Sequence, residues 1–184
     1  MKTLIKSIII LVIFLAVNIS AQEKDYSKEP GFVNFGDLSS LQDDEEVTEI
    51  LIEEKLLKMV SKFTDDDPEL SDLVGGLKLI KVNTFAVTPG NSSDLMKRAN
   101  SIDKDLMNKK WDRIVKTKSK GNVANVYLKT AGDDDFVGLT VVTVDEDGEA
   151  AFVNIVGSIN MDALGKLGKK FDIPGLDGIK KESN

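Results

Sequence analysis

After Lys109 the hydrophobic repeat shortens from about 3.6 residues to 2 and stays there through four consecutive runs. These are Trp111–Thr117, Val123–Lys129, Phe136–Val144 and Glu149–Ser158. The links between them, Lys118–Asn122, Thr130–Asp135 and Asp145–Gly148, each hold a glycine. Alternating runs joined by short glycine turns pair as antiparallel neighbours. A four-strand β-meander is the frame that the rest of the chain must fit, and it is too long for a doubly wound parallel sheet.

Upstream, Val47–Ile52 (VTEILI) reads as a first strand. Glu53–Phe63 follows as a helix, with Ile52, Leu56, Met59, Val60 and Phe63 at the three- and four-residue steps of one face. Asp67-Pro68 starts a second helix, with Asp67 as N-cap and Leu70, Leu73 and Val74 apolar, and Gly75-Gly76 stops it. Leu77–Val87 is a strand with Ile80 and Val82 turned inward and Phe85 a third candidate. Ser92 or Ser93 caps a long helix to about Lys109, whose buried stripe is Leu95, Ala99, Ile102 and Leu106. Its Lys97, Arg98, Asp103 and Lys104 face water.

Asn160–Lys170 is a last amphipathic helix, FDIPGLD (Phe171–Asp177) closes the core, and Gly178–Asn184 is a tail. The order β-α-α-β-α-β-β-β-β-α predicts an α+β domain, a largely antiparallel sheet with helices packed on one face. The core is expected to bury Leu56, Val60, Ile80, Leu95, Leu106, Val126, Val141 and Ile155.

Residues 1–21 have the form of a secretory signal peptide: Lys2 and Lys6, an uncharged apolar run over Ser7–Val17, and Ile-Ser-Ala before the cut. The apolar run is short for a membrane span of about 20 residues, so cleavage after Ala21 and no stable membrane insertion are expected. Residues 22–30 form a polar leader to a single domain over 31–177. The full chain carries a net charge of −7, and loss of Lys2 and Lys6 takes it to −9. An acidic surface repels phosphate backbones and anionic headgroups, so nucleic acid is not an expected partner.

The chain contains neither histidine nor cysteine. Ser-His-Asp and Cys-His catalysis, histidine-ligated zinc and disulfides are therefore excluded, as is lipid attachment at a cysteine. ALGKLGKKF (Ala163–Phe171) resembles a phosphate cradle at first sight. Its glycines have the wrong spacing for a P-loop, and no hydroxyl follows the lysine. Gly165 and Gly168 are better read as letting a helix approach a sheet closely.

VDEDGEA (Val144–Ala150) fails as a calcium loop, because position six from Asp145 is Ala150 and position twelve is Val156. It reads as a hairpin turn with Gly148 at positive φ. Asp65–Asp67 and Asp133–Asp135 read as solvated acidic loops, and Asn91-Ser-Ser as a helix-cap loop rather than a glycosylation site. No carboxylate lies in an apolar run where burial would raise its pKa. No catalytic, cofactor-binding or metal-binding residue emerges, and no cofactor is expected.

GFVNFGDLSSL (Gly31–Leu41), the DPEL…LVGGLKLIKV block, AFVNIVGSINMDALGKLGKKF and the closing DIPGLD together resemble the family known as domain of unknown function 4252. The resemblance covers about Gly31–Asp177. It implies an α+β domain exported into a Gram-negative envelope, and it brings no reaction or catalytic residue with it. Many members are of lipoprotein type; lacking cysteine, this chain departs from them, which points to a periplasmic or secreted form. The expected function is a non-enzymatic module binding a protein or small ligand, with envelope signalling or maintenance as its setting. The alternative is a hydrolase using a carboxylate pair or a Ser–Lys dyad.

Overall fold

A computed structural model describes residues 24–41, 47–63, 68–132, 135–146 and 148–159. The expected signal peptide, closing helix with Gly165 and Gly168, and tail lie outside the described residues. So do Asp67 and most of the acidic loops. The element order is β1 (Val47–Glu53), α1 (Glu54–Phe63), α2 (Pro68–Gly76), β2 (Leu77–Ala86), α3 (Ser92–Asn108), β3 (Asp112–Ser119), β4 (Asn122–Thr130), β5 (Phe136–Val144) and β6 (Glu149–Ile159).

The six strands form one antiparallel sheet in the order β1-β2-β6-β5-β4-β3. The meander β3–β6 is as the alternation predicts, and the α+β class with it. β2 then pairs with β6 and carries β1 as an outer strand, so among the described residues β1 and β3 are the two edges.

The helices, expected on one face, divide between two. On β5, Val142 and Val144 join the cluster of Leu95, Ala99, Ile102 and Leu106 from α3. Leu139 and Val141, of opposite parity, join the cluster of Leu57 from α1 and Leu73 from α2. The reason lies in FVGLTVVTV, where apolar residues occupy both parities. A strand apolar on both sides needs a cover on each.

The stripe of α3 is buried as predicted, as are Val126, Val141 and Ile155. The face assigned to α1 is wrong: Leu57 is buried, whereas Leu56, Met59, Val60 and Phe63 are exposed. Ser61 turns toward α2, where its carbonyl accepts from Ser71 Oγ at 2.9 Å and its side chain lies 3.7 Å from the place a Cβ on Gly75 would take. That close helix–helix contact rotates Leu57 onto the sheet and the larger apolar residues away from it. On β2 the third candidate, Phe85, is buried as expected, but so are Leu79 and Asn83, whereas Ile80 and Val82 are only half-buried.

The segment before β1 crosses the α3 face of the sheet. Gly31 and Gly138 make this possible, since a Cβ on Gly31 would stand 1.8 Å from the Val137 carbonyl oxygen. Asn154 anchors the crossing: its Oδ1 accepts from Val33 N–H at 2.9 Å and its Nδ2 donates to the Gly31 carbonyl at 2.9 Å.

Candidate functional site

Charged groups of α3 do structural work, while the buried Oδ1 atoms of Asn83 and Asn125 on the same face of the sheet have no hydrogen-bond partner among the described residues. Arg98 and Asp103, expected to face water, are anchors. Arg98 donates to the carbonyls of Phe35 and Asp37 at 3.1 and 2.8 Å, holding the crossing segment to α3. Asp103 accepts from Arg113 Nη1 at 2.5 Å and from Tyr127 Oη at 2.7 Å, tying α3 to β3 and β4. Burial opposes the charge on Asp103, but the Tyr127 and Arg113 hydrogen bonds prevail and hold its carboxyl below the usual range. Burial first, and the Asp103 contact second, push the Tyr127 phenol up. An acid locked as carboxylate and a phenol locked as hydroxyl are poorly matched to proton transfer near neutral pH.

Two open clefts stand out among the described residues. One, of about 360 Å³, lies at the end of β4 and β5 between Asn122, Thr143, Asp145 and Glu149. Asp145 there belongs to a turn: its N–H donates to the Glu149 carbonyl and its own carbonyl accepts from Gly148. Gly121 and Gly132, in two of the meander turns, take positive φ, at 70° and 86°; Gly148 follows Asp147, which lies outside the described residues.

The second cleft, of about 370 Å³, gathers Lys24, Ser27, Phe32, Leu51, Glu53 and Lys81. It brings a serine near a lysine, as a Ser–Lys dyad requires. Lys24, however, is paired with Glu54, and that hydrogen bond raises its pKa, the opposite of what a lysine base needs. The same contact, with Lys58 at 2.6 Å, pulls Glu54 down to about 2. Among the described residues no three Asp or Glu converge as metal ligands.

Asn91 is buried and spoken for. Its Nδ2 donates to the Ala86 and Leu41 carbonyls and its Oδ1 accepts from Thr88 N–H, so it stands at the N-cap position of α3 without its side chain capping the helix. The helix-cap loop is there, with Asn91 in the position expected of Ser92 or Ser93.

The conspicuous surface is α1. Leu56, Met59, Val60 and Phe63 fall within an arc of about 100°, and Leu57, which faces the sheet, lies about 110° from the middle of that arc. Phe63 is 80 % exposed and the other three are 40–50 % exposed. Ile50, on the same side of neighbouring β1, is exposed as well. Lys55, Lys58 and Lys62 run along one border of the arc. Sequence periodicity identified this stripe and assigned it to the core; only the packing of Ser61 against α2 shows that it points outward.

Fold and surface together define an α+β sheet domain with an apolar helix face beside an open strand edge. No helix among the described residues is long and apolar enough to cross a membrane. The chain belongs to the family described as Domain of unknown function (DUF4252), whose model matches residues 40–167. The match takes in every strand and helix described above and leaves out the crossing segment at Gly31–Ser39, so it is narrower than the resemblance at both ends. No curated protein and no solved structure matches the chain.

Proposed function

We propose that this protein is exported to the bacterial envelope and acts there as a non-enzymatic binding module, with α1 as its contact surface. The observation that carries this reading is the outward apolar arc of α1. Exposing about 80 % of a phenylalanine beside three other large apolar side chains costs solvation that a partner would recover. The form of residues 1–21 supports export. The hydrolase alternative draws no support from Lys24, whose ion pair keeps it protonated.

A photo-crosslinking amino acid placed at Met59 in the exported chain, in its own envelope, tests the reading. A discrete adduct that disappears in Phe63→Asp is expected. Absence of any adduct at Met59, with the chain recovered folded, would overturn it. Recovery of uncut chain carrying residues 1–21 in the membrane would show the apolar segment to be an anchor and overturn cleavage after Ala21.

A further inference from the structure

We propose that the partner of this surface is a second copy of the same chain, docked antiparallel along β1 so that two sheets join edge to edge and two α1 faces meet above them. The inference rests on the binding reading above and names its partner.

The two sheet edges differ in how they are guarded. β3 carries Arg113, Lys116 and Lys118 and is interrupted by a bulge between Arg113 and Val115. Lysines and bulges are the usual devices that keep an edge from pairing with another chain. β1 has neither. It reads VTEILIE, with no lysine or arginine, and its ladder to β2 runs from Val47 to Glu53 without a shift. Ile50 and Leu51 at its centre are both exposed. An unprotected, regular edge of seven residues offers backbone donors and acceptors to another strand.

The edge is also self-complementary. If Ile50 faces Ile50 of the second copy, Glu49 falls opposite Leu51, Glu53 opposite Val47 and Thr48 opposite Ile52. No carboxylate opposes a carboxylate, so the register avoids the cross-strand repulsion that like charges create. Ile50 shares its parity with Ile52, which packs into the α1–α2 cluster. Directly opposed residues point to the same face, so the pairing sets both α1 helices on one side of the joined sheet. The exposed parts of Ile50, Leu56, Met59, Val60 and Phe63 amount to roughly 500 Å² of apolar surface per copy. Two copies therefore reach about the 1,000 Å² that a specific interface needs, before any backbone is counted.

The chain has no cysteine, so Ile50→Cys introduces a sole thiol at the two-fold position. Under mild oxidation it should give a covalent dimer in high yield. Thr48→Cys, on the same strand face, should not: the two Thr48 positions stand roughly 13 Å apart, beyond the ~7 Å that a disulfide spans. In sedimentation at tens of micromolar the wild-type chain should be a dimer. Phe63→Asp should raise the dimer dissociation constant about tenfold or more while the separate chains remain folded.

A wild-type chain that sediments as a monomer, together with an Ile50→Cys variant that forms no covalent dimer, overturns the inference. If Met59 nonetheless crosslinks to a different protein in the envelope, the inference falls and the binding reading stands. If Met59 crosslinks only within its own chain, to residues 160–184, both fall.

Discussion

Removing the side chain of Asn154 should loosen the crossing segment without disturbing the meander that carries it. Asn154 is fully buried on β6. Its amide accepts from Val33 N–H, donates to the Gly31 carbonyl, and reaches Thr140 Oγ1 at 3.2 Å. Asn154→Ala strips a buried N–H and a buried C=O of their partners at once. Each orphaned group costs about 1–3 kcal/mol, and some entry of water relieves part of it, so a loss of about 3–5 kcal/mol is expected. With a urea m-value of about 2 kcal/mol/M, the midpoint should fall by about 2 M.

Hydrogen exchange gives the local signature: the Val33 amide should lose protection by orders of magnitude, while amides of β4 and β5 track only the global change. Asn154→Asp sharpens the test. It keeps an acceptor for Val33 N–H but loses the donor to Gly31 and brings a charge into a dry site, which raises the folded-state pKa. Relative to wild type, its stability should therefore be least impaired below about pH 4 and decline as pH rises through the raised folded value. An Asn154→Ala chain that loses less than about 1 kcal/mol, or keeps Val33 protected, would refute the anchoring role.

Leu57→Ala should cost about 2–5 kcal/mol and Leu56→Ala less than about 1, reversing the order that helical periodicity alone suggests; paired urea melts decide it. Gly31→Ala should be disruptive, because the added Cβ would sit 1.8 Å from the Val137 carbonyl oxygen, and a melting temperature within error of wild type would contradict the tight crossing. Asp103 and Glu54 both have depressed pKa values, so their contributions are complete above the ordinary carboxylate range and fade as pH falls through the folded values. For Glu54 that window runs from 4.5 down to about 2. Asp103→Asn should flatten the acid limb of a stability–pH profile more than Glu54→Gln, since the Glu54 pairs are nearer water and better screened. Equal effects would remove Asp103 from its place as the main tie between α3 and the meander.

The parts of the fold that could be read in advance share one property: each apolar pattern had a single possible destination. Leu95, Ala99, Ile102 and Leu106 form the one apolar stripe of α3, so identifying the stripe identifies the buried face. β3 to β6 are strand runs joined by short glycine turns, and pairing each with the next satisfies them. The pattern of α1 had two claimants. Leu57 and Ser61 form a narrow face suited to close packing, and Leu56, Met59, Val60 and Phe63 form a broad one suited to bulk burial. Periodicity tells which residues share a face; it does not tell which face meets the sheet. Contact with Ser71 and Gly75, distant in sequence from Leu57, makes that choice.

The two-faced sheet had a readable signal in the apolar residues at both parities of FVGLTVVTV. Asn154 had one too, as a lone amide inside the apolar run AFVNIVG, where a polar group persists only with partners. Those partners, the backbones of Gly31 and Val33, lie over a hundred residues away and leave no local trace. The candidate surface follows from the same ambiguity. A helix that turns its broad apolar face outward has met its packing needs with the narrow one, and the stripe left over is free to serve contact with another chain.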